Sequence, residues 1–270
     1  MAKIFVVNSK GEKEFFSVAK VLNSARRVGA SRSLAQDIAV RAQSQAYDGI
    51  PTSEIFSYVK SRLKKDSPRA AMKFNLKKAM AKLGPTGFPF EKYIAEILRS
   101  QGFVVEINQI APGHCCSSYE IDFLARKENL LYIGECKFRN VFEGKVHMDV
   151  ALANYARFLD IKNGKFFSQE PKTTEIKSVL VTNAKFTNQA IRYCECCGVG
   201  LLGWKYPQNN GLERLIDSQK LYPITILPSF NSRFYQTSLA QDIILARDLL
   251  CLNKKELAPL IREAKTLLEL

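Results

Sequence analysis

Asp122, Glu135 and Lys137 fall within one short stretch of the chain, Glu120 to Asn140, whose sequence is EIDFLARKENLLYIGECKFRN. Two carboxylates with a lysine beside them are the groups that a metal-dependent attack on a phosphodiester needs. The carboxylate oxygens suit Mg²⁺ or Mn²⁺, which keep waters and phosphate oxygens as their remaining ligands. The ammonium orients water or steadies negative charge building on phosphate. Two apolar runs, Ile121 to Ala125 and Leu130 to Gly134, flank a polar turn at Lys127, Glu128 and Asn129. That pattern predicts a β-hairpin. Asp122 lies inside its first strand, while Glu135 and Lys137 close the second and share a face by alternation. Charges on the inner side of strands are costly unless paired or holding a cation. The backbone carbonyl of Cys136, between the two second-strand residues, is positioned to complete such a site.

The elements around the hairpin must hold it. Upstream, Phe90, Tyr93, Ile94, Ile97 and Leu98 form an apolar stripe at helical spacing, with Glu91 at its edge. Gly102 ends that helix, Phe103 to Ile110 reads as a strand, and Ala111 to Ser118 as a loop. Downstream, Met148 to Ile161 is a predicted helix burying Ala151, Tyr155, Phe158 and Leu159. Ser178 to Thr182 is a strand, Thr187 caps a helix that Gly198 ends, and Val199 to Trp204 is a last strand. Helix, three strands, helix, strand, helix, strand argues an α/β/α sandwich with a mixed central sheet.

Gly84-Pro85-Thr86-Gly87 is the clearest break and sets a boundary, giving segments 1–84, 85–206 and 207–270. The first opens with a hairpin over residues 3–16, followed by four helices capped at Ser17, at Ser31 or Ser33, at Pro51 to Glu54, and at Asp66-Ser67-Pro68. The fourth helix is expected to stop before Gly84. The last segment reads as mainly helical over Gly211 to Gln219, Leu239 to Cys251 and Lys254 to Leu268, with Tyr222 to Leu227 as connector or short strand.

Charge separates these segments. The chain of 270 residues carries +14 overall, and residues 1–84 hold 17 basic against 6 acidic residues. A field of that sign attracts polyanions such as DNA or nucleotides. No apolar run approaches the ~20 residues that cross a bilayer, and Met-Ala-Lys-Ile-Phe-Val-Val does not read as a signal peptide; a cytoplasmic protein without membrane contact is expected. The 7 cysteines are then expected to be free thiols. His114-Cys115-Cys116 and Cys194-Glu-Cys196-Cys197 offer zinc-ligand types, but adjacent cysteines on a helix point apart, so tolerated thiols are favoured. His114 and His147 read as surface residues, with His114 in the loop before the first motif strand.

The helix glutamate, strand, aspartate, turn and Glu-x-Lys resemble the PD-(D/E)XK nuclease superfamily, and within it the Mrr-like restriction endonucleases. The resemblance covers residues 85–205, including Val181 to Thr187 and the strand ending at Trp204. It implies Asp122 as the motif aspartate, Glu135 as the second acid, Lys137 as the motif lysine and Glu91 as the first-helix glutamate, with Mg²⁺ or Mn²⁺ as cofactor and DNA as substrate. Ile121 stands where some members carry proline. Residues 1–84 resemble the ATP-cone, a regulatory nucleotide-binding module, on the first strand with Val7, the Gly11 turn, Phe16 and Lys20-Val21. That implies ATP or dATP as effector. Asn8 and Ser9 replace the family's Lys-Arg pair, leaving Lys10, Lys20, Arg26 and Arg27 as phosphate-binding cations. The expectation is a metal-dependent endodeoxyribonuclease regulated by nucleotide, dimeric where both strands are cut. The alternative is a non-catalytic nucleotide- or DNA-binding regulator on the same scaffold.

Overall fold

The structure, a computed structural model, describes residues 4–8, 11–84, 86–140, 144–231, 234–235, 241–252 and 255–270. It is a mixed α/β protein of two compact units. One comprises residues 1–76, 226–229 and 254–270, the other residues 77–225 and 230–253. The segment 207–270 is therefore shared between the two units rather than set apart from them. No helix among the described residues is long and apolar enough to cross a membrane.

In the first unit, β1 (Phe5–Val7) pairs antiparallel with β2 (Lys13–Phe15). The hairpin expected there carries a third strand. After α1 (Val18–Arg27) and α2 (Arg32–Gln45), β3 (Ile50–Pro51) joins β1 in parallel. Ser17 and Ser31 cap α1 and α2 by accepting from the N–H groups of Lys20 and Leu34. α3 (Thr52–Asp66) and α4 (Pro68–Phe74) follow. Small residues, Ala25, Ala35, Ala70 and Ala71, let these helices approach closely around Ile38, Val59 and Leu63. The fourth predicted helix is broken. α4 ends on Asn75, whose N–H bonds the Met72 carbonyl, and α5 (Leu76–Ala81) starts anew.

The C-terminal helix, Ala258–Leu268, belongs to this unit. Arg69 of α4 donates from Nε to the Leu267 carbonyl at 2.9 Å and pairs with Glu269 at 2.5 Å, satisfying one end of that helix. Arg69→Ala is expected to cost about 1–2 kcal/mol and to loosen residues 258–268 selectively. Hydrogen exchange that rises there and not in α2 is the expected readout.

The second unit is built on a five-stranded mixed sheet. After α6 (Phe88–Ser100) come β4 (Val104–Ala111), β5 (Tyr119–Lys127) and β6 (Leu130–Cys136), an antiparallel meander. A two-residue β7 (Lys145–Val146) and α7 (Met148–Asn163) lead to β8 (Glu175–Val181), which lies parallel to β6. β9 (Lys185–Phe186) pairs with β7, α8 (Asn188–Cys197) follows, and β10 (Gly200–Leu202) extends the sheet beside β8. The sheet order is β10-β8-β6-β5-β4. α6 buries the predicted stripe, including Phe90, Tyr93, Ile94 and Ile97, and Tyr93 donates to the Leu221 carbonyl at 2.6 Å. On α7 the buried face is Ala151, Asn154, Phe158 and Ile161; Leu159, expected inside, is 37% exposed.

α9 (Leu212–Ser218) forms as expected. A helix over Leu239 to Cys251 does not: only a 3₁₀ turn, Ala246–Cys251, is present among its described residues, and Leu239 lies outside them. The reason is tertiary pairing. Ile244 and Ala246 exchange backbone bonds with Ile224 and Tyr222, and the Asp248 carboxylate accepts from the N–H groups of Ile244 and Leu245. The buried run Ile243-Ile244-Leu245 is held extended against Tyr222 to Ile224. Likewise the Tyr222 to Leu227 stretch holds a 3₁₀ turn, Ile224–Ile226, and Lys255–Leu257 is 3₁₀ ahead of the C-terminal helix; Lys254 lies outside the described residues.

Candidate functional site

The hairpin holding the motif is β5-β6, and its strands part where the motif lies. Pairing between them runs from Lys127↔Leu130 to Phe123↔Gly134, whereas β6 stays paired with β8 as far as Cys136↔Val181. Beyond Gly134, β6 has left β5. The Asp122 carboxylate fills the gap, accepting the Cys136 N–H at 2.6 Å. Gly134 is required here because a Cβ would lie 2.0 Å from the Phe123 ring. On the other side of β5, the pairing of β4 skips Asn108, which adopts a left-handed φ of 53° between Ile107↔Phe123 and Gln109↔Ile121.

The residues after Glu135 are fixed by the end of β8. Lys137 donates its N–H to the Val181 carbonyl at 2.7 Å and accepts from the Thr182 hydroxyl at 2.6 Å. The buried Asn183 amide brackets Arg139, accepting its N–H at 2.8 Å and donating to its carbonyl at 2.7 Å. Phe138 packs against Phe90 of α6, ring centroids 5.6 Å apart. That contact fixes the next residue of the helix, Glu91, beside the strand ends.

Electrostatics tie the acids together. Burial and then the charge of Glu135 push the Asp122 carboxyl up to about 6, against the Cys136 N–H, Arg157 and Lys137, which favour its ionised form. Burial, then Asp122, Glu135 and Glu120, push Glu91 up to about 7. The buried Cys136 thiol is driven well above its usual range by burial and by Asp122, Glu91 and Glu135. Four carboxylates thus act on one small volume. The donor chemistry fits a hard divalent ion: oxygen ligands whose crowding a cation relieves. Glu135 already has an organic cation, since Arg157 of α7 pairs with its Oε2 at 2.6 Å. Among the described residues, no group of three or more His, Cys, Asp or Glu is gathered as metal ligands. Of the zinc-ligand types, Cys115, Cys116 and Cys196 are exposed and Cys194 is buried.

Of the residues singled out in the sequence, Glu91, Glu135 and Lys137 all lie within electrostatic reach of Asp122. Arg157, Glu120 and Asn108 are additions that sequence reading missed. Arg157 had one signal, a polar Asn154–Arg157 pair interrupting an otherwise apolar helix face. The nucleotide set lies in the other unit. Val7 ends β1, Lys20 lies in the first turn of α1 and pairs with Glu14 at 2.6 Å, and Arg26 and Arg27 stand exposed in its last turn. About 9 Å of helix rise separates Lys20 from Arg26. Ser9 and Lys10 lie outside the described residues. Asn8 closes the hairpin turn, its side chain accepting from the Glu12 N–H at 3.0 Å and donating to the Glu12 carboxylate at 2.8 Å.

The loop before β5 is pinned from α7. Asp160 accepts from the N–H groups of Cys115 and Cys116 and from the Tyr119 hydroxyl, at 2.8, 3.1 and 2.9 Å. Led by the Cys115 N–H, these donors hold its carboxyl down at about 2. A depressed carboxyl stabilises the fold above its unfolded value of 3.8, and that contribution is lost as pH falls through about 2. Asp160→Asn is expected to lower the melting temperature at pH 7 by roughly 2–4 °C, with the gap from wild type closing between pH 4 and pH 2.

Fold and site together define a mixed α/β protein with an acidic centre where two antiparallel strands diverge. The chain is 33% identical over 174 residues to an uncharacterized protein of Archaeoglobus fulgidus, spanning 64% of this chain and 92% of that relative. It belongs to the family of that archaeal protein. The crystal structure of the protein of unknown function AF1548 is similar, with a TM-score of 0.57 and 29% identity over 68% of this chain and 99% of that one. No protein-family model matches the chain.

Proposed function

We propose that this protein is a metal-dependent endonuclease that hydrolyses phosphodiester bonds in DNA, with the second unit as a restriction-endonuclease-like, Mrr-like nuclease domain. The observation that carries the reading is the crowding of Asp122, Glu135 and Glu91 at the parting of β5 and β6, with Lys137 beside them. Asp122, Glu135 and the Cys136 carbonyl are the groups to hold Mg²⁺ or Mn²⁺, with Glu91 as a further oxygen donor. When bound, the ion supplies a Lewis acid that acidifies water and neutralises phosphate charge. The protein's own work is orientation. The Cys136 N–H aims the Asp122 carboxylate, and the Val181 carbonyl and Thr182 hydroxyl fix the backbone from which the Lys137 ammonium meets a phosphate oxygen. Glu91, its carboxyl pushed up to about 7 and so shared between protonated and ionised forms at pH 7, accepts or donates a hydrogen bond to water at the phosphate.

The first unit is the ATP-cone-like part of the proposal, taking ATP or dATP as effector, and a homodimer in the cytoplasm would cut both strands. In that unit Asn8 is committed to its turn and Lys20 to Glu14, so nucleotide binding falls to the other cations. A calorimetric titration with ATP and dATP that gives neither heat nor a thermal shift removes it. A second reading, a non-catalytic DNA- or nucleotide-binding regulator, draws on the Glu135–Arg157 pair, which leaves one acid neutralised without a metal. Supercoiled plasmid incubated with the protein and Mg²⁺ separates the two. Nicked or linear product supports the nuclease; unchanged plasmid, methylated and unmodified alike, leaves the regulator.

A further inference from the structure

Arg157 is placed where a divalent ion would have to compete with it. Its guanidinium lies 2.6 Å from Glu135 Oε2 and 3.4 Å from the Glu120 carbonyl. The Glu135 side chain is 14% exposed and that of Arg157 31%, so the pair is partly withdrawn from water and stronger than an open surface bridge. Its surroundings do not yield easily. One turn away on α7, Asn154 is tied to Ser178 at 2.9 Å, and Phe158 is packed with Ile121 and Ile133. An arginine keeps its charge at any working pH, so this counter-cation is permanent unless displaced.

The geometry points to Arg157 as a positioning residue that latches Glu135: it neutralises the carboxylate while no metal is bound and must be displaced from it before a divalent ion is taken up. The inference rests on the metal-site reading of Asp122, Glu135 and Glu91. Displacing the guanidinium breaks a charge-assisted bond, and that loss subtracts from metal affinity. Removing the guanidinium while keeping its aliphatic stem spares the loss and leaves the acids less neutralised. Both effects tighten metal binding.

Mn²⁺ titrated into the full chain at fixed ionic strength, with free ion followed by electron paramagnetic resonance, tests this without reference to cleavage. Arg157→Met is expected to lower the Kd for Mn²⁺ about tenfold, the scale of other changes around metal ligands. Arg157→Lys, which keeps stem and charge but loses the planar fork, is expected to fall between Met and wild type. It carries the test alone if Arg157→Met melts before assay temperature. Equal or weaker binding by both variants overturns the latch. If all three proteins bind with one Kd and Asp122→Asn abolishes binding, the latch falls and the metal site stands. If none binds Mn²⁺, both fall.

Discussion

In Mg²⁺, plasmid cleavage by Asp122→Asn and by Lys137→Ala is expected to fall about 10³-fold or more, to the level of buffer alone. Asp122→Asn is the sharper of the two. An asparagine carbonyl still accepts the Cys136 N–H that Asp122 Oδ2 accepts at 2.6 Å, so the strand end keeps its shape and only the negative charge is lost. Because Asp122 is half-buried among other acids, with its carboxyl pushed up to about 6, the neutral variant is relieved of a charged group at pH 8 and melts no lower than wild type. Lost activity with retained or raised stability is a combination that a merely structural aspartate does not give. Lys137→Ala removes the ammonium alone, since the backbone bonds to Val181 and Thr182 do not involve the side chain. Cleavage within tenfold of wild type in either variant would falsify the assigned roles.

What could be read from the chain was what local pattern determines. The hairpin followed from alternation and a polar turn. α6 followed from five apolar residues on one stripe, and α8 from Thr187 and Gly198, which cap it with a side-chain bond and a left-handed glycine. The nearness of Asp122, Glu135 and Lys137 was legible because the expected strands place them at one end. Contacts set by tertiary packing were not legible. Arg157 meets Glu135 only because β6 parts from β5 and α7 crosses that opening, and neither event leaves a pattern in the sequence. The two-residue β3 is too short for alternation to register, and it pairs with a strand far away in the chain. The segment Leu239 to Cys251 failed for a different reason. Its spacing suits a helix, yet the described residues Ile243 to Leu245 are buried by pairing with Tyr222 to Ile224, and burial outweighs a weak local preference. Lys20 shows the same limit for charge, since composition counts a cation that Glu14 already engages.

The crowded acids make a second large effect, read in stability. Without divalent ions the protein is expected to lose stability as pH rises from about 4 to about 7, the reverse of a protein held by salt-bridged carboxylates. The folded chain holds Asp122 at about 6 against an ordinary 3.8, and Glu91 at about 7 against 4.5. Below the ordinary values both states are protonated and the contribution is fully present. Above them the unfolded chain ionises freely while the folded one resists, so the contribution is lost as pH passes the folded values. At 1.36 kcal/mol per pH unit, with allowance for partial screening and for the two acids repelling each other, the loss is on the order of 2–3 kcal/mol. Asp248, raised by burial, adds in the same direction, whereas Asp160 acts only near pH 2 and with opposite sign. Asp122→Asn and Glu91→Gln should therefore flatten the profile between pH 4.5 and pH 7.5, while Asp248→Asn leaves most of it. The proposed divalent ion would couple to the same groups. Mg²⁺ at 100 times its Kd adds about 2.7 kcal/mol where the acids are ionised, and much less at pH 5, where protons already occupy them. Melting curves with and without Mg²⁺ at pH 5 and pH 8 measure that difference. An equal rise in Tm at both pH values would mean that the ion binds elsewhere, and a wild-type profile that is flat or rising from pH 4.5 to pH 7.5 would mean that Asp122 and Glu91 do not share the crowded site from which their roles are argued.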